Sequence, residues 1–449
     1  MASGCASHDG ASHMTSTTAE VVHAARPVGT ARAVLAASIG NMLEWYDFTI
    51  YASFAIYIAR NFFPSNDPGV DLVKTFLAFG VGFVIRPVGA VLIGLYGDKA
   101  GRKAALTLTI LVMAAGTLII AASPVYAVVG LGAPLLLLAG RILQGFSAGG
   151  EIGGAAAFLV ENASPDRKGI YASWLQASMG MSNILGALVA MSVTSLLTAD
   201  QVTAWGWRIP FAIGLLIAPV GLILRKTLHE TAAFEAEQAQ TKIVARPLAS
   251  PLTRVFRDYW RQLLVGLGFS ILWAVAVYTL MIFGPVYVQD AFHFTPPQAF
   301  RATFIGNFFL VAGCFLSGAV SDHIGREKML TAGAALLFVG VLPLYAWLQA
   351  SPTPATLILV QTAFCILVSS FVGVAPAALS ELFPTGVRAT GMSLVYNTAI
   401  TVFGGFAPAL LTDITQRGTR LVLAPAWYVM AAAFLALIAL PYLGKARRG

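Results

Sequence analysis

The chain has 449 residues, of which 57% are hydrophobic and 11% charged, and its formal net charge is +8. A soluble domain carries roughly 25% charged residues, so this chain does not face water on all sides. Its mean hydropathy of +0.77 and its length fit about a dozen bilayer crossings of ~20 residues each.

Residues 1–13 read as an expression-tag remnant holding Cys5, and 14–30 as a cytoplasmic N-terminal tail. No cleavable signal peptide is visible, so the first apolar run is expected to stay as a helix. Six spans follow at about 31–60, 71–96, 103–123, 134–161, 169–196 and 208–225, giving one bundle over 31–225. The polar interval 226–261 holds Glu230, Glu235, Glu237, Lys242, Arg246, Pro247 and Pro251 and reads as a cytoplasmic linker. Thr227 to Gln240 has the propensities of a short surface helix. A second bundle over 262–443 has spans at about 262–290, 298–321, 328–348, 355–382, 390–415 and 424–443, and 444–449 is a cytoplasmic tail. Only helices satisfy their backbone bonds locally in lipid, and these runs are too long for barrel strands. The expected fold is therefore an all-α membrane protein with twelve transmembrane helices in two pseudo-symmetric six-helix bundles.

Charge placement sets the expected orientation. Arg102 and Lys103, Arg225 and Lys226, Arg254, Arg257 and Arg261, Arg326 and Lys328, and Lys445, Arg447 and Arg448 fall between or after apolar runs. With a cytoplasmic N-terminus, an even number of spans puts them all on the cytoplasmic side, as the positive-inside rule requires. The charge thus implies membrane lipid and no nucleic acid. Trp205, Trp207, Trp260 and Tyr442 fall near span ends, where amphipathic rings prefer to sit. Cys314 and Cys365 lie inside apolar runs, so buried thiols are expected.

Two motifs recur half a chain apart. Gly89, Leu92, Gly94, Asp98, Gly101 and Arg102 return 224 positions later as Gly313, Leu316, Gly318, Asp322, Gly325 and Arg326. Glu161, Pro165, Arg167 and Gly169 after the fourth span match Glu381, Pro384, Arg388 and Gly391 after the tenth. Paired half-molecules with charged hairpins at the same places are the layout of a membrane carrier built from repeats. The second hairpin departs from the first: His323 replaces Lys99 and Glu327 replaces Lys103.

Several residues resemble the major facilitator superfamily. The loop Gly94-Leu95-Tyr96-Gly97-Asp98-Lys99-Ala100-Gly101-Arg102-Lys103 looks like its signature between the second and third helices. Arg141-Ile142-Leu143-Gln144-Gly145 resembles its fourth-helix motif. Within the superfamily, Gly40-Asn41-Met42-Leu43-Glu44-Trp45-Tyr46-Asp47-Phe48, Arg86-Pro87-Val88-Gly89 and Gly149-Gly150-Glu151 are similar to the metabolite:proton symporters, above all to citrate and tricarballylate symporters. The resemblance implies proton-coupled uptake of an organic acid across a bacterial inner membrane. Its alternatives are proline or betaine, 2-oxoglutarate, and shikimate. It also implies that the first hairpin, through Asp98 and Arg102, docks near Glu381, Arg388 and the helix after Gly386 when the cytoplasmic side closes. Asp322 and Arg326, with Glu161 and Arg167, are the corresponding gate residues of the second copy.

Ionisable groups in the hydrocarbon layer cost several kcal/mol each, so they need a reason. The chain places Glu44 and Asp47 on the first helix, Arg86 on the second, and Arg141 and Glu151 on the fourth. Glu44 and Asp47, three apart, share a helix face. Counting the rise of ~1.5 Å per residue from the cytoplasmic helix ends puts Glu44, Arg86 and Glu151 roughly 15–17 Å deep, Asp47 about 21 Å and Arg141 nearer 30 Å. The expectation is an inner layer of Glu44, Arg86 and Glu151 and an outer pair of Asp47 and Arg141. Three carboxylates against two guanidiniums would repel an anion. A carboxylate out of water binds a proton more readily unless a cation holds it ionised. Proton loading would therefore free an arginine to grip a substrate carboxylate with both prongs. Asn41, Tyr51, Gln144, Gln176, Tyr278, Asn307, Tyr396 and Asn397 lie at middle depths and are the neutral substrate-binding candidates. The glycines from Gly149 to Gly154 read as a packing face of the fourth helix.

No zinc-type His-Glu-x-x-His, no Gly-x-Ser-x-Gly elbow and no phosphate loop ending in Gly-Lys-Ser or Gly-Lys-Thr occurs. The reading is thus a carrier and not an enzyme, with no cofactor and no metal. Its expected partners are a small organic anion and protons, and it is expected to work as a monomer. An uncoupled facilitator and a non-transporting membrane sensor are the rival classes.

Overall fold

A computed structural model describes residues 30–100, 102–149, 155–156, 159–160, 163–226, 250–384, 387–418 and 421–446. The first span is α1 (Thr30–Ser53) continued by α2 (Ala55–Phe62). The second is α3 (Pro68–Val84) followed by α4 (Arg86–Ala100). It begins three residues earlier than expected because Asp67 caps it, accepting from the amides of Gly69 and Val70, with Pro68 in the first turn. Then come α5 (Arg102–Ala122), α6 (Gly132–Ala148), α7 (Lys168–Leu196) and α8 (Ile209–Lys226).

A short helix α9 (Ser250–Asp258) lies inside the interval read as a linker, while Thr227 to Gln240 lies outside the described residues. The seventh span is α10 (Trp260–Ala276), a π-helical turn over Val277–Phe283, and α11 (Gly284–Ala291). The rest are α12 (Pro296–Ile324), α13 (Arg326–Ala350), α14 (Pro354–Val372) with α15 (Ala375–Glu381), α16 (Arg388–Ala399) with α17 (Ala407–Asp413), and α18 (Ala424–Ala439). A second π turn, Ile400–Gly404, separates α16 from α17.

Each expected span contains helix. Among the described residues eight helices are long and apolar enough to cross a bilayer. The helices α1 and α6, which bear Glu44, Asp47 and Arg141, are not among those eight.

Glycines let the second and fourth spans touch backbone to backbone. A side chain at Gly145 would strike the carbonyl of Gly82, and one at Gly149 would strike the carbonyl of Arg86. This close approach brings Arg86 and Arg141 into one neighbourhood. The two halves meet along α7 and α12, and along α3 and α17. Aromatic rings fill the seam: Phe83 lies 5.2 Å from Tyr278, Phe76 5.6 Å from Phe283, and Trp174 4.8 Å from Phe315. Cys314 and Cys365 are buried free thiols.

Candidate functional site

The α3–α4 junction places Arg86 at the molecule's centre, where it has no exposed surface. Its Nη2 donates to Glu44 Oε1 at 3.2 Å. Two members of the inner layer expected from depth therefore meet; the third, Glu151, lies outside the described residues. The outer pair is arranged differently. Asp47 and Arg141 form no direct ion pair, and neutral groups link them. Arg141 Nη1 donates to Gln144 Oε1 at 2.7 Å, Gln144 Nε2 to Thr117 Oγ1 at 2.9 Å, and Thr117 Oγ1 to Asp47 Oδ2 at 2.7 Å. Depth alone set Asp47 at about 21 Å and Arg141 nearer 30 Å, and it carries no information on rotation about each helix axis.

Aromatic rings take the place of that missing carboxylate. The Arg141 guanidinium lies 4.9 Å from the Phe48 centroid, 4.5 Å from Tyr51 and 4.7 Å from Phe79. Arg86 lies 4.8 Å from Phe48 and 4.6 Å from Phe83. Phe48 thus touches both cations. Each such contact contributes ~0.5–2 kcal/mol, well short of the several kcal/mol that desolvating a guanidinium costs. Donors remain unspent: Arg86 Nε and Nη1, Arg141 Nε and the Tyr278 hydroxyl are buried without acceptors.

The remaining candidates divide into two groups. Tyr278 packs on Trp45 and Phe79 as well as Phe83, Tyr396 lies tilted against Trp273 at 4.5 Å, and the buried Asn397 leaves Oδ1 unpartnered. These face the centre from the C-terminal half. Others hold helices together. Asn41 Nδ2 donates to Leu175 O at 2.9 Å and Ser178 Oγ at 2.8 Å, and Asn307 Oδ1 accepts from Asn183 Nδ2 at 3.2 Å across the seam. Tyr51 donates to Thr75 O at 3.0 Å, whereas Gln176 Nε2 meets Met179 Sδ at 3.8 Å within its own helix, α7. Sequence reading missed Phe48, Phe79, Phe83 and Thr117, because an aromatic or threonine in an apolar helix looks like ordinary packing.

The second hairpin is latched. Gly325 turns it with φ 96°, a conformation that L side chains rarely adopt. Asp322 Oδ1 accepts from Gly169 N at 2.8 Å and Oδ2 from Ile170 N at 3.1 Å. The first turn of α7 lacks a side-chain cap of its own, so Asp322 caps it from the other half, where the helix dipole favours a negative charge. Arg326 holds Asp322 at 2.6 Å and lies 3.4 Å from Glu381. Arg388 Nε donates to Ser380 O at 3.0 Å, and Arg167 is exposed. The side chains of Asp98 and Arg102, and Glu161, lie outside the described ones. Hydrogen bonds to a charged group contribute ~1.5–3 kcal/mol. Asp322→Asn should therefore slow transport about tenfold in proteoliposomes while substrate affinity stays within about twofold. An equal loss of affinity would argue against a latch.

The model of the Major Facilitator Superfamily matches residues 37–408. The chain belongs to the major facilitator superfamily. Its relatives include the citrate-proton symporter of Salmonella typhi, 36% identical over 414 residues, covering 92% of this chain and 93% of that one. The proline/betaine transporter of Escherichia coli strain K12 is 33% identical, covering 91% and 82%. The partially occluded, inward-open xylose transporter XylE of E. coli superposes with a TM-score of 0.72 at 17% identity, covering 93% and 97%. The superfamily fold and its multi-pass membrane placement are thus those the resemblance implied.

Proposed function

We propose that this chain imports an organic acid together with protons by alternating access, with a tricarboxylate such as citrate or tricarballylate as the favoured solute. The observation that carries this reading is the pair of buried guanidiniums, Arg86 and Arg141, with donors unspent at the closed centre. A substrate carboxylate would accept from those donors and offset their desolvation. The likeness to a citrate-proton symporter supports the same solute. A quaternary ammonium such as betaine would need free aromatic faces; Phe48, Phe79, Phe83 and Tyr51 already carry guanidiniums. The zwitterion reading therefore ranks second, despite the proline/betaine relative.

Charge arithmetic supplies the coupling. Among the described residues, Glu44 and Asp47 balance Arg86 and Arg141 when all four are ionised, so a trivalent anion would leave the centre strongly negative. Protonating the two carboxylates leaves two positive charges for it. Thr117 is the hinge of this step. Its single hydroxyl hydrogen can go to Asp47 or to Met113 O at 3.1 Å. A proton on Asp47 turns that bond round, so that Asp47 donates and Thr117 turns to Met113. The Thr117 oxygen, with two lone pairs, then accepts from both Asp47 and Gln144, and Arg141 is left linked to a neutral acid in place of a carboxylate.

The positive loops favour a cytoplasmic position for both termini in a bacterial cell, with the hairpins facing inward. The carrier works as a monomer, each half moving against the other in lipid. The test is a panel of solutes competing for proton-driven citrate uptake in proteoliposomes. Citrate and tricarballylate should compete best, and proline and betaine weakly. Competition by betaine alone would overturn the assignment.

A further inference from the structure

Asp47 has only 6% of its surface exposed, yet symport requires it to gain and lose a proton. Its two oxygens have different surroundings. Oδ2 accepts from Thr117, on the way to Arg141. Oδ1 has no partner and lies against Gly214 of α8, where a built Cβ would sit 3.1 Å from it. Asp47 and Gly214 line a cleft between α1, α5, α6 and α8, with every lining residue in the N-terminal half. It has room for roughly two water molecules.

The cleft has a direction. On α1 it extends from Asp47 back to Gly40, on α5 from Thr117 back to Thr109, and on α8 from Gly214 on to Ala218. Seven helical residues cover ~10 Å, and all three walls lead toward the hairpin end. There Ser147 of α6 donates to Thr109 O at 2.6 Å. Glu44 also borders the cleft, but Arg86, Arg141 and Tyr278 do not. The charged or titratable neighbours of Asp47 are Glu44 and Tyr46 on its own helix and Arg141 of α6 through the Thr117–Gln144 link. The walls from α5 and α8 present neutral groups.

We propose that this cleft is a water-filled proton port within the N-terminal half, through which Asp47 discharges toward the hairpin end while the anion leaves along the separate seam between halves. The carboxyl O–H bond breaks, Asp47 keeps the electron pair, and a cleft water takes the proton as hydronium and passes it on. The proposal rests on the symport reading and its orientation.

Ala114 lines the cleft on α5 and has no part in the substrate site. Ala114→Leu should plug it. In proteoliposomes, net citrate uptake driven by a pH gradient should slow about tenfold or more. Counterflow exchange, which needs no deprotonation, should stay within about twofold of wild type. Equal slowing of both, or no change in either, overturns the port. If Ala114→Leu does not reach the membrane, Ala114→Cys in a background lacking other cysteines serves instead. A small charged thiol reagent added at the hairpin side should label it with saturating citrate present, and failure to label overturns the port. Absence of gradient-driven uptake in the wild type would strike the symport reading itself, and is distinguishable from these results.

Discussion

Asp47→Asn is expected to abolish proton-driven accumulation and to leave counterflow exchange near the wild-type rate. Asparagine keeps the size of the side chain and can still accept from Thr117, which donates to Oδ2 at 2.7 Å. What it loses is the ability to change charge. A neutral side chain at this position resembles the proton-loaded carrier, which moves with solute in either direction but cannot reset empty. The measurement is paired: citrate accumulation under an imposed pH gradient, and exchange of labelled for unlabelled citrate at equal pH. Accumulation surviving in the variant would remove Asp47 from the coupling step.

Arg141→Lys is expected to lower citrate affinity about 100-fold, despite keeping the charge. A hydrogen bond to a charged group contributes ~1.5–3 kcal/mol, and about 2.7 kcal/mol is a hundredfold. The guanidinium spans Gln144 Oε1 at 2.7 Å and Phe79 O at 3.3 Å while its flat faces lie among Phe48, Tyr51 and Phe79. A compact ammonium has no planar fork and cannot satisfy these contacts and a carboxylate together. Citrate binding to purified protein, followed by calorimetry, checks this. Unchanged affinity would show that Arg141 only packs helices.

The legible parts of this molecule were those written in charge and periodicity. Glu44 and Arg86 stood out as costly groups in apolar runs, and their depths put them in one layer with Glu151. The repeated hairpin gave two halves before any helix was seen. Arg141 shows where such reading stops. Its depth was countable, but rotation about the helix axis was not, so its link through Gln144 to Thr117 and its packing on three rings stayed hidden. The Thr117 link was hidden further because threonine in a membrane helix ordinarily bonds its own preceding turn, as it also does here to Met113 O at 3.1 Å. Asp322 was visible as a motif residue. Its partner helix depends on how the halves dock, which puts Gly169 and Ile170 within its reach.

The most direct test of the central claim is a pH electrode in a weakly buffered suspension of proteoliposomes at equal internal and external pH. A pulse of citrate, adjusted to the bath pH, should make the outside alkaline at the rate at which citrate enters, and Asp47→Asn should show no such change. Citrate entry into wild-type vesicles with no movement of protons would contradict the account.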